Sequence, residues 1–287
     1  MAANPIPVDQ IKIKSRKPSM SRAQKLIFFL TAWLICLMPF LFWWNTWFGR
    51  KLTDRQLNDY IHDTKKPRHI QQALVQVGER IGRGETSAKQ WYPDLVRLAV
   101  DPVEEVRNTD AWVMGQDTSG AGFHEELLKM LDDSSPMVRG NAALSLVRFG
   151  DASGRAQIVA LLQPARITTP RAGRVRDAAR TGTAIHKGGL IAEIGDDPGR
   201  TTPVRSPIPG RIRSISGAGA NVAVGAEIAV VDPSTEQVWE ALRALYLVGQ
   251  PEDIPAVLPY ERELPDISDD VRRQAVETER AIRERIK

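Results

Sequence analysis

Cysteine is almost absent from this sequence and histidine is scarce, since the chain has one cysteine and four histidines. A single cysteine cannot form an internal disulfide, so burial alone must stabilise the fold. No two histidines have the i, i+4 spacing of a helical zinc site, and the sequence has no phosphate loop, nucleophile elbow or dinucleotide fingerprint. We therefore predict a protein that is not an enzyme and that needs no metal ion and no cofactor.

An excess of one charge is also missing from most of the chain. The formal net charge is +4, but residues 1–25 hold six basic residues and one acidic residue. The rest of the chain holds 33 basic and 34 acidic residues. A body with balanced charge has no general attraction for phosphates, so nucleic acid is not an expected partner.

The longest stretch without a charged residue is apolar. Residues 26–49 read LIFFLTAWLICLMPFLFWWNTWFG. As a helix, this stretch is long enough to cross a hydrocarbon core of about 30 Å, and tryptophans gather at its end, where their rings favour the headgroup level. We therefore predict a transmembrane helix. The residues predicted to anchor it are Leu26, Trp33, Pro39, Trp43, Trp44 and Trp47.

The basic tail before this stretch predicts the orientation. The positive-inside rule places residues 1–25 in the cytoplasm. The predicted location is the inner (plasma) membrane of a bacterium, crossed once, with the body in the periplasm and the lipid bilayer as a partner through one helix. A cleaved signal peptide is the competing interpretation, but the apolar run is long for one and no small-x-small cleavage site follows it.

A helical pattern repeats beyond residue 50. Residues 101–115 read DPVEEVRNTDAWVMG, and in a second segment Asp133 is followed by SSPMVRGNAALSLVRFG up to residue 150. Both segments begin with an aspartate at an expected helix start, followed by Val-Arg and an apolar face. The two Val-Arg pairs lie 32 residues apart, a period typical of stacked helix pairs. The segments resemble HEAT repeats, which implies an α-helical solenoid; a generic helical bundle is the alternative.

A second repeat, of a different kind, lies between the helical segments. Residues 169–194 and 206–231 align without gaps at an offset of 37 residues. Short β-branched runs between glycines are typical of strands and hairpins, so the segment predicts a small, pseudo-symmetric β barrel or sandwich. The matched residues are Pro170, Gly173, Arg174, Arg176, Gly182, Gly188, Ile191 and Ala192 with Pro207, Gly210, Arg211, Arg213, Gly219, Gly225, Ile228 and Ala229.

The repeated Pro-x-x-Gly-x-Val/Ile and Gly-x-x-Val/Ile-x-x-Gly patterns resemble the biotinyl/lipoyl-like (barrel-sandwich hybrid) fold. In that family, the modified lysine stands on the hairpin that joins the two halves. Here that hairpin, residues 195–202, contains no lysine, and Lys187 lies in a different turn. The resemblance therefore implies the fold without covalently attached lipoyl or biotin.

Together these patterns predict a multidomain fold class: one transmembrane helix, an α-helical HEAT-like repeat solenoid, and a small all-β lipoyl-like domain inserted in it. The predicted domains are a basic cytoplasmic tail (1–25), the transmembrane helix (26–49), HEAT-like repeats (50–163), the lipoyl-like β domain (164–233) and C-terminal HEAT-like repeats (234–287). When residues 164–231 are left out, one helical repeat runs directly into the next, which favours an insertion. Three domains in linear order are the alternative.

Matched arginines give the β segment a basic bias. Arg174, Arg176, Arg211 and Arg213 stand at alternating positions of the two halves, and alternate residues of a strand share a face. We predict that they line one exposed strand face and are candidate contacts for an acidic partner protein or anionic lipid. Solubility of an exposed module is the simpler explanation.

Recognition is the expected function. Helical solenoids offer extended surfaces to partners, so we predict a non-catalytic, membrane-anchored scaffold or accessory subunit of a larger bacterial membrane protein complex, whose other subunits are its partners. The alternative is an atypical membrane-fusion-type adaptor of an efflux or secretion system, although the chain lacks the long helical hairpin of such adaptors. A sensor of small molecules is a third hypothesis.

Overall fold

The computed structural model describes residues 21–47, 51–196, 199–262 and 267–285. In the first helix, α1 (Arg22–Trp47), the side chains of Gln24, Cys36, Pro39 and residues 41–47 are outside this description. The chain divides into two compact units, Met1–Lys51 and Leu52–Lys287.

The first unit contains α1, in which Leu26 and Trp33 are exposed. A helix that spans a membrane needs about 20 consecutive apolar residues, and none of the helices in the described ranges is long and apolar enough to do so. The transmembrane helix predicted at residues 26–49 is therefore wrong. Residues 1–20 of the basic tail lie outside the described residues, as do the side chains of the other predicted anchor residues. The predicted localisation stays a prediction. Those anchor residues are Pro39, Trp43, Trp44 and Trp47.

The second unit is a stack of helix pairs. In its described ranges, the first helices of the pairs are α2 (Asp54–Ile61), α4 (Tyr92–Leu98), α6 (Phe123–Met130), α8 (Arg155–Leu161) and α10 (Ile254–Val257). The second helices are α3 (Pro67–Gly82), α5 (Glu104–Met114), α7 (Pro136–Arg148), α9 (Thr235–Val248) and α11 (Asp269–Glu284). Short 3-10 helices precede α4 (Thr86–Trp91) and flank α10 (Pro251–Asp253 and Leu258–Glu261). Each second helix packs on the second helix of the previous pair, so the pairs stack in chain order.

Serine side chains determine where the later second helices begin. Ser135 Oγ accepts hydrogen bonds from the backbone N–H groups of Met137 and Val138 at 3.2 and 3.4 Å. The predicted start at Asp133 is thus displaced by two residues, because the Asp133 carboxylate accepts the backbone N–H of Ser135 instead, at 2.8 Å. α9 and α11 are capped by serines in the same way. Each cap satisfies a backbone donor that has no partner inside its helix.

One apolar core runs through the helical stack. Trp91 and Phe123 are among its largest fully buried side chains. The core includes both Leu162, directly after α8, and Val238 in α9. Tyr260 donates a hydrogen bond to the carbonyl oxygen of Leu162 at 2.6 Å. The helices before and after the intervening strands therefore pack together.

Between α8 and α9 the chain forms two antiparallel four-stranded sheets in its described residues. The strands are β1 (Ala165–Thr168), β2 (Gly173–Ala178), β3 (Ala184–Ile185), β4 (Leu190–Ile194), β5 (Thr202–Arg205), β6 (Gly210–Ile215), β7 (Asn221–Val222) and β8 (Glu227–Pro233). We name them the β1 sheet, with strand order β1-β8-β6-β3, and the β5 sheet, with strand order β5-β4-β2-β7. Each half of the sequence repeat gives two strands to each sheet, and the two sheets share an apolar core that includes Val175 and Ile212.

The strands lie where the repeated pattern predicts them, but the predicted fold class is wrong for this segment also. In the described residues the ladders join the strands into two separate sheets, and no ladder closes them into a barrel-sandwich domain. β3 and β7 each end one sheet and are two residues long, so they present few backbone groups for further pairing. The identification of this segment as a lipoyl-like domain is corrected accordingly, while the predicted domain boundaries stay a prediction.

Lys187, in the turn between β3 and β4, connects the strand segment to the helices. Its ammonium group forms an ion pair with Glu104 in the first turn of α5, and Ser135 donates a hydrogen bond to the same carboxylate. Partial burial opposes ionisation of this carboxyl, but the hydrogen bonds from Lys187 and Ser135 prevail and lower the pKa of Glu104. The lysine therefore has a structural contact that ties the strands to the stack.

A bidentate ion pair joins α5 to the loop before α7. Arg107 Nε and Nη2 lie 2.6 and 2.9 Å from the carboxylate oxygens of Asp133, and the two side chains are only 13% and 10% exposed. The hydrogen bonds from Arg107 hold the pKa of Asp133 below its ordinary value. A carboxyl whose pKa is lowered by folding stabilises the fold above its unfolded pKa and loses this contribution as the pH falls through the folded pKa.

The variant Arg107→Lys keeps the charge but loses the two-point geometry. We expect a loss of about 1.5–3 kcal/mol in the free energy of unfolding at pH 7, the range of hydrogen bonds to charged groups. The loss should shrink as the pH falls from 3.8, the ordinary pKa of an aspartate, through the lower pKa of the folded state, because Asp133 becomes protonated there and the ion pair is lost. Urea unfolding at several pH values measures both quantities, and a loss that does not depend on pH would contradict the assignment to this ion pair.

Candidate interaction groove

A groove of about 910 Å³ lies along the second helices of the later pairs. Its lining comes mostly from α5, α7, α9 and α11, together with Leu161 of α8, Pro209 and Ser234. We call it the second-helix groove. Because four of the described helix pairs contribute their second helix to it, the groove follows from the stacking of the repeats.

Hydrogen bonds between neighbouring second helices hold the groove in shape. Asn141 Nδ2 donates to Asn108 Oδ1 at 3.0 Å, and Ser145 Oγ donates to the carbonyl oxygen of Ala111 at 2.8 Å. A Cβ atom at Gly115 would lie 2.7 Å from Ser145 Cβ, so a glycine is required for this approach of α5 and α7. Between α9 and α11, the Thr278 hydroxyl donates to the carbonyl oxygen of Leu242 at 2.9 Å. These bonds fix the separation of the helices and hence the width of the groove.

Large apolar and aromatic side chains remain exposed along the groove. Trp112 on α5 is 39% exposed, and Tyr246 and Leu247 on α9 are 44% and 62% exposed. Leu144 is half-buried and lies on α7, the second helix between α5 and α9. Exposed apolar residues that gather in one concave surface mark a binding site more often than scattered ones do.

Charged residues accompany the apolar ones. The groove is lined by three glutamates and two arginines, which are Glu236, Glu240, Glu277, Arg148 and Arg243. Arg243 lies 3.6 Å from Glu240 and over the ring of Trp239, 4.6 Å from its centroid. Arg148 Nη1 donates to Gln116 Oε1 at 3.0 Å. The arginines are thus held by neighbours, and the groove offers both apolar contact area and fixed polar groups.

Two tyrosines with raised pKa values serve structural contacts. Burial raises the pKa of Tyr260 to about 12, and its hydroxyl bonds to the backbone as described above. Burial and the carboxylate of Asp117 raise the pKa of Tyr92, whose hydroxyl donates to Asp117 Oδ2 at 2.5 Å. In the described part of the chain, no group of three or more His, Cys, Asp or Glu side chains is arranged to hold a metal ion. These contacts link helices and loops of the stack.

The structure places the four predicted arginines on two different sheets. Arg174 and Arg176 lie on β2 of the β5 sheet, and Arg211 and Arg213 lie on β6 of the β1 sheet. All four are exposed and flank an inward residue, Val175 or Ile212. Each pair therefore points away from the shared core on its own strand, and the two pairs lie on different sheets. Their role in binding a partner stays a prediction.

The sequence analysis did not identify the second-helix groove. Trp112 and Leu144 occupy equivalent positions of the two aligned helical segments, 32 residues apart. This spacing would have indicated a shared surface, because equivalent residues of a solenoid line up on one side. The Trp was instead included in the apolar face expected for the core.

Comparisons with known proteins support the helical repeats. The HEAT repeat model matches residues 125–153, which include most of α6 and all of α7. No curated protein matches the chain. One designed armadillo repeat protein is 16% identical, with 79% of this chain and 80% of that chain covered and a TM-score of 0.40. A second, in complex with peptide (KR)4, is 17% identical with the same coverage and TM-score. An engineered protein is 18% identical, with 80% of both chains covered and a TM-score of 0.39.

The HEAT match and the stacked helix pairs confirm the prediction of a helical repeat protein. A fold of this kind is suited to a protein-interaction scaffold, because each added pair extends a continuous surface. Neither the membrane anchor nor the lipoyl-like domain has support from these comparisons.

Proposed function

We propose that this helical repeat protein is a non-catalytic scaffold that binds an extended segment of a partner protein in the second-helix groove. The observation that carries the proposal is the exposure of Trp112 on α5 and of Tyr246 and Leu247 on α9 around one concave surface. Aromatic and large apolar side chains in pockets supply most of the binding energy at protein interfaces. A contiguous apolar patch on a protein surface is unfavourable in water, and such patches often mark a binding site.

The polar groups of the groove contribute to selection of the partner. Glu236 and Glu277 are exposed in the groove, while Glu240 lies within 3.6 Å of Arg243. Polar rims around an apolar centre fix the register and orientation of a bound segment rather than supplying most of the affinity. We therefore expect a partner segment with apolar anchor residues.

The finer hypothesis is an accessory subunit of a larger assembly. A scaffold with a long groove and a separate strand segment has surfaces for more than one neighbour. Two separate outer surfaces of this kind support a role within a multi-subunit complex, with proteins as partners and without nucleic acid, given the balanced charge of the body.

The test compares two tagged full-length variants with the wild type. Tyr246→Ser with Leu247→Ser removes two exposed groove contacts, and we expect at least tenfold lower recovery of the main co-purifying protein, since each lost anchor costs about 1–2 kcal/mol. The matched control is Val100→Ser with Val224→Ser, because both valines are exposed and lie outside the groove lining. Quantitative mass spectrometry of native extracts gives the ratios.

The control determines how the result is interpreted. Equal recovery with the groove variant and the wild type would contradict the proposed function. An equal loss with both variants would also contradict it, because loss of apolar surface at any site would then be sufficient. Circular dichroism of each variant verifies that the helical stack is intact.

A further inference from the structure

The last turn of α9 is packed on one side only. Leu245 is buried in the core, whereas Tyr246 and Leu247 are 44% and 62% exposed. A second cavity, of about 350 Å³, adjoins the same turn, and its lining includes Leu247 and Arg285. Burial alone therefore leaves the two exposed groove residues weakly held, since a segment with few buried contacts opens easily.

The end of α9 is not closed by a left-handed glycine. The last four carbonyl groups of an α-helix have no partner inside the helix, and a glycine with positive φ often supplies the missing donor. Gly249 follows α9, but its φ of −63° and ψ of 152° are extended, and its N–H bonds to the carbonyl oxygen of Leu245 at 2.7 Å. The carbonyl groups of Tyr246 and Leu247 therefore need donors from another part of the fold.

Arg285, directly after α11, supplies these donors. Its Nη1 donates to the carbonyl oxygens of Leu247 and Gly249 at 3.2 and 2.7 Å. Its Nη2 donates to the carbonyl oxygen of Tyr246 and, at 3.3 Å, to that of Leu245. A cation at a helix C-terminus also interacts favourably with the negative end of the helix dipole. One side chain thus fixes the backbone of both groove residues.

The ends of α9 and α11 approach closely enough for these bonds to form. Arg285 Nε donates to the carbonyl oxygen of Ala281 at 3.2 Å, which holds the side chain against the end of its own helix. A Cβ atom at Gly249 would lie 2.5 Å from the carbonyl oxygen of Leu245 and 2.8 Å from Ile282 Cδ1. Glycine is therefore required where the chain leaves α9 beside α11.

The end of α5 is held in a related way. Arg148, the last residue of α7, donates to Gln116 Oε1 at 3.0 Å, and Gln116 Nε2 donates to the carbonyl oxygen of Trp112 at 3.0 Å. In both places, an arginine at the end of one second helix holds the end of the second helix before it. Both contacts lie beside exposed groove residues, which favours a role in binding.

We propose that Arg285 is a positioning residue of the second-helix groove, and that it holds Tyr246 and Leu247 in place for the partner segment. The proposal rests on the proposed function and adds to it a residue outside the groove lining. Without Arg285, binding would have to order the last turn of α9, and the free energy of ordering it would be lost from the affinity. Arg285 thus acts through the two groove residues and not by contact with the partner.

The first test is hydrogen exchange of the purified full-length chain. Arg285→Met keeps an apolar side chain of similar length, and we expect the amides of residues 246–249 to exchange about tenfold faster, with the rest of the helical stack unchanged. The matched control is Arg283→Met, because Arg283 lies on the same helix and pairs with Glu279. Arg285→Lys keeps the charge but loses the fork of donors, so it should give a smaller increase and replaces Arg285→Met if that variant does not fold. Unchanged exchange at the end of α9 would overturn the proposal.

The second test is recovery of the main co-purifying protein with tagged full-length variants. Arg285→Met should lower the recovery about fivefold both in the wild type and in Trp112→Ser, because Trp112 lies on a different helix. In Tyr246→Ser with Leu247→Ser, the same change should lower the recovery less than about twofold, because the side chains that Arg285 positions are already absent.

The outcomes separate this proposal from the proposed function. An equal fall in all three backgrounds would show that Arg285 only stabilises the stack and would overturn the positioning role. Equal recovery with Arg285→Met and Arg283→Met would also overturn it, while a loss in the groove variant would still support the groove as the binding site. Wild-type recovery with Tyr246→Ser and Leu247→Ser would instead overturn the proposed function, and this proposal with it.

Discussion

Replacing Phe123 with alanine should lower the free energy of unfolding by about 3–5 kcal/mol, the usual cost of truncating a buried phenylalanine. The side chain is fully buried at the start of α6, and its ring lies 4.7 Å from the ring of Tyr92. A cavity there removes most of the packing between α6 and the start of α4, one of the contacts between the second and third helix pairs. Urea unfolding followed by circular dichroism measures the loss.

An aromatic residue on the surface provides the control. Tyr246→Ala removes a ring that is 44% exposed, so we expect a loss below about 1 kcal/mol. If Phe123→Ala cost no more than the exposed variant, the packing of α6 against α4 would be wrong. Phe123→Leu, which fills most of the space, should recover more than half of the loss.

The variant Asp110→Asn should make the protein more stable, and the gain should grow with pH. Asp110 on α5 is completely buried, and both of its carboxylate oxygens lack a hydrogen-bond partner among the described residues. Burial raises its pKa well above 3.8, the ordinary value; Arg97 opposes this, whereas Asp101 and Glu126 add to it. The folded state therefore holds a proton that the unfolded chain releases above that ordinary value.

The direction of the pH dependence follows from this difference. Because the folded pKa is the higher one, the wild type loses stability as the pH rises above 3.8 toward the folded pKa. Asparagine stays neutral at all pH values, so we expect almost no difference at pH 3. At pH 8 we expect a gain of about 1–3 kcal/mol, because the wild type must either keep a proton on Asp110 or bury an unpaired charge, and the amide avoids both costs. Asp132→Asn, at an exposed site, should stay within about 0.5 kcal/mol at both pH values. A constant difference across the pH range would contradict the prediction.

The helical part of the fold could be predicted because the signals that define a helix lie close together in the sequence. The repeated segments 101–115 and 133–150 placed α5 and α7 within three residues of their observed bounds. The 32-residue offset of Val106 and Val138 predicted the stacking. The positions of the strands could also be predicted from local signals, since glycine turns and β-branched runs define them. Pairing between distant strands, such as Ala165 with Val231, is not encoded in these patterns, and the fold class was wrong for that reason.

The candidate surfaces were harder to predict. The sequence shows that Arg174 and Arg176 alternate with an apolar residue, but it does not show that Arg211 and Arg213 lie on another sheet. Trp112 has the residue type of a core position, and its exposure depends on how α5 and α7 pack. Asp110 occupies a buried site because of tertiary packing, against the usual preference of aspartate for the surface.

The position of the strand segment between α8 and α9 has a consequence for the order of folding. To pack α9 on α8, the chain must close a loop of roughly 70 residues, which costs roughly 2 kcal/mol more than closing a five-residue loop. The pairing of β1 with β8 brings the two ends of the segment together, because Ala165 lies opposite Val231. We therefore expect the strands to form before α9, α10 and α11 join the preceding helices. The folded strand segment then holds its two ends close together during folding. The packing of α9, α10 and α11 on the preceding helices depends on this.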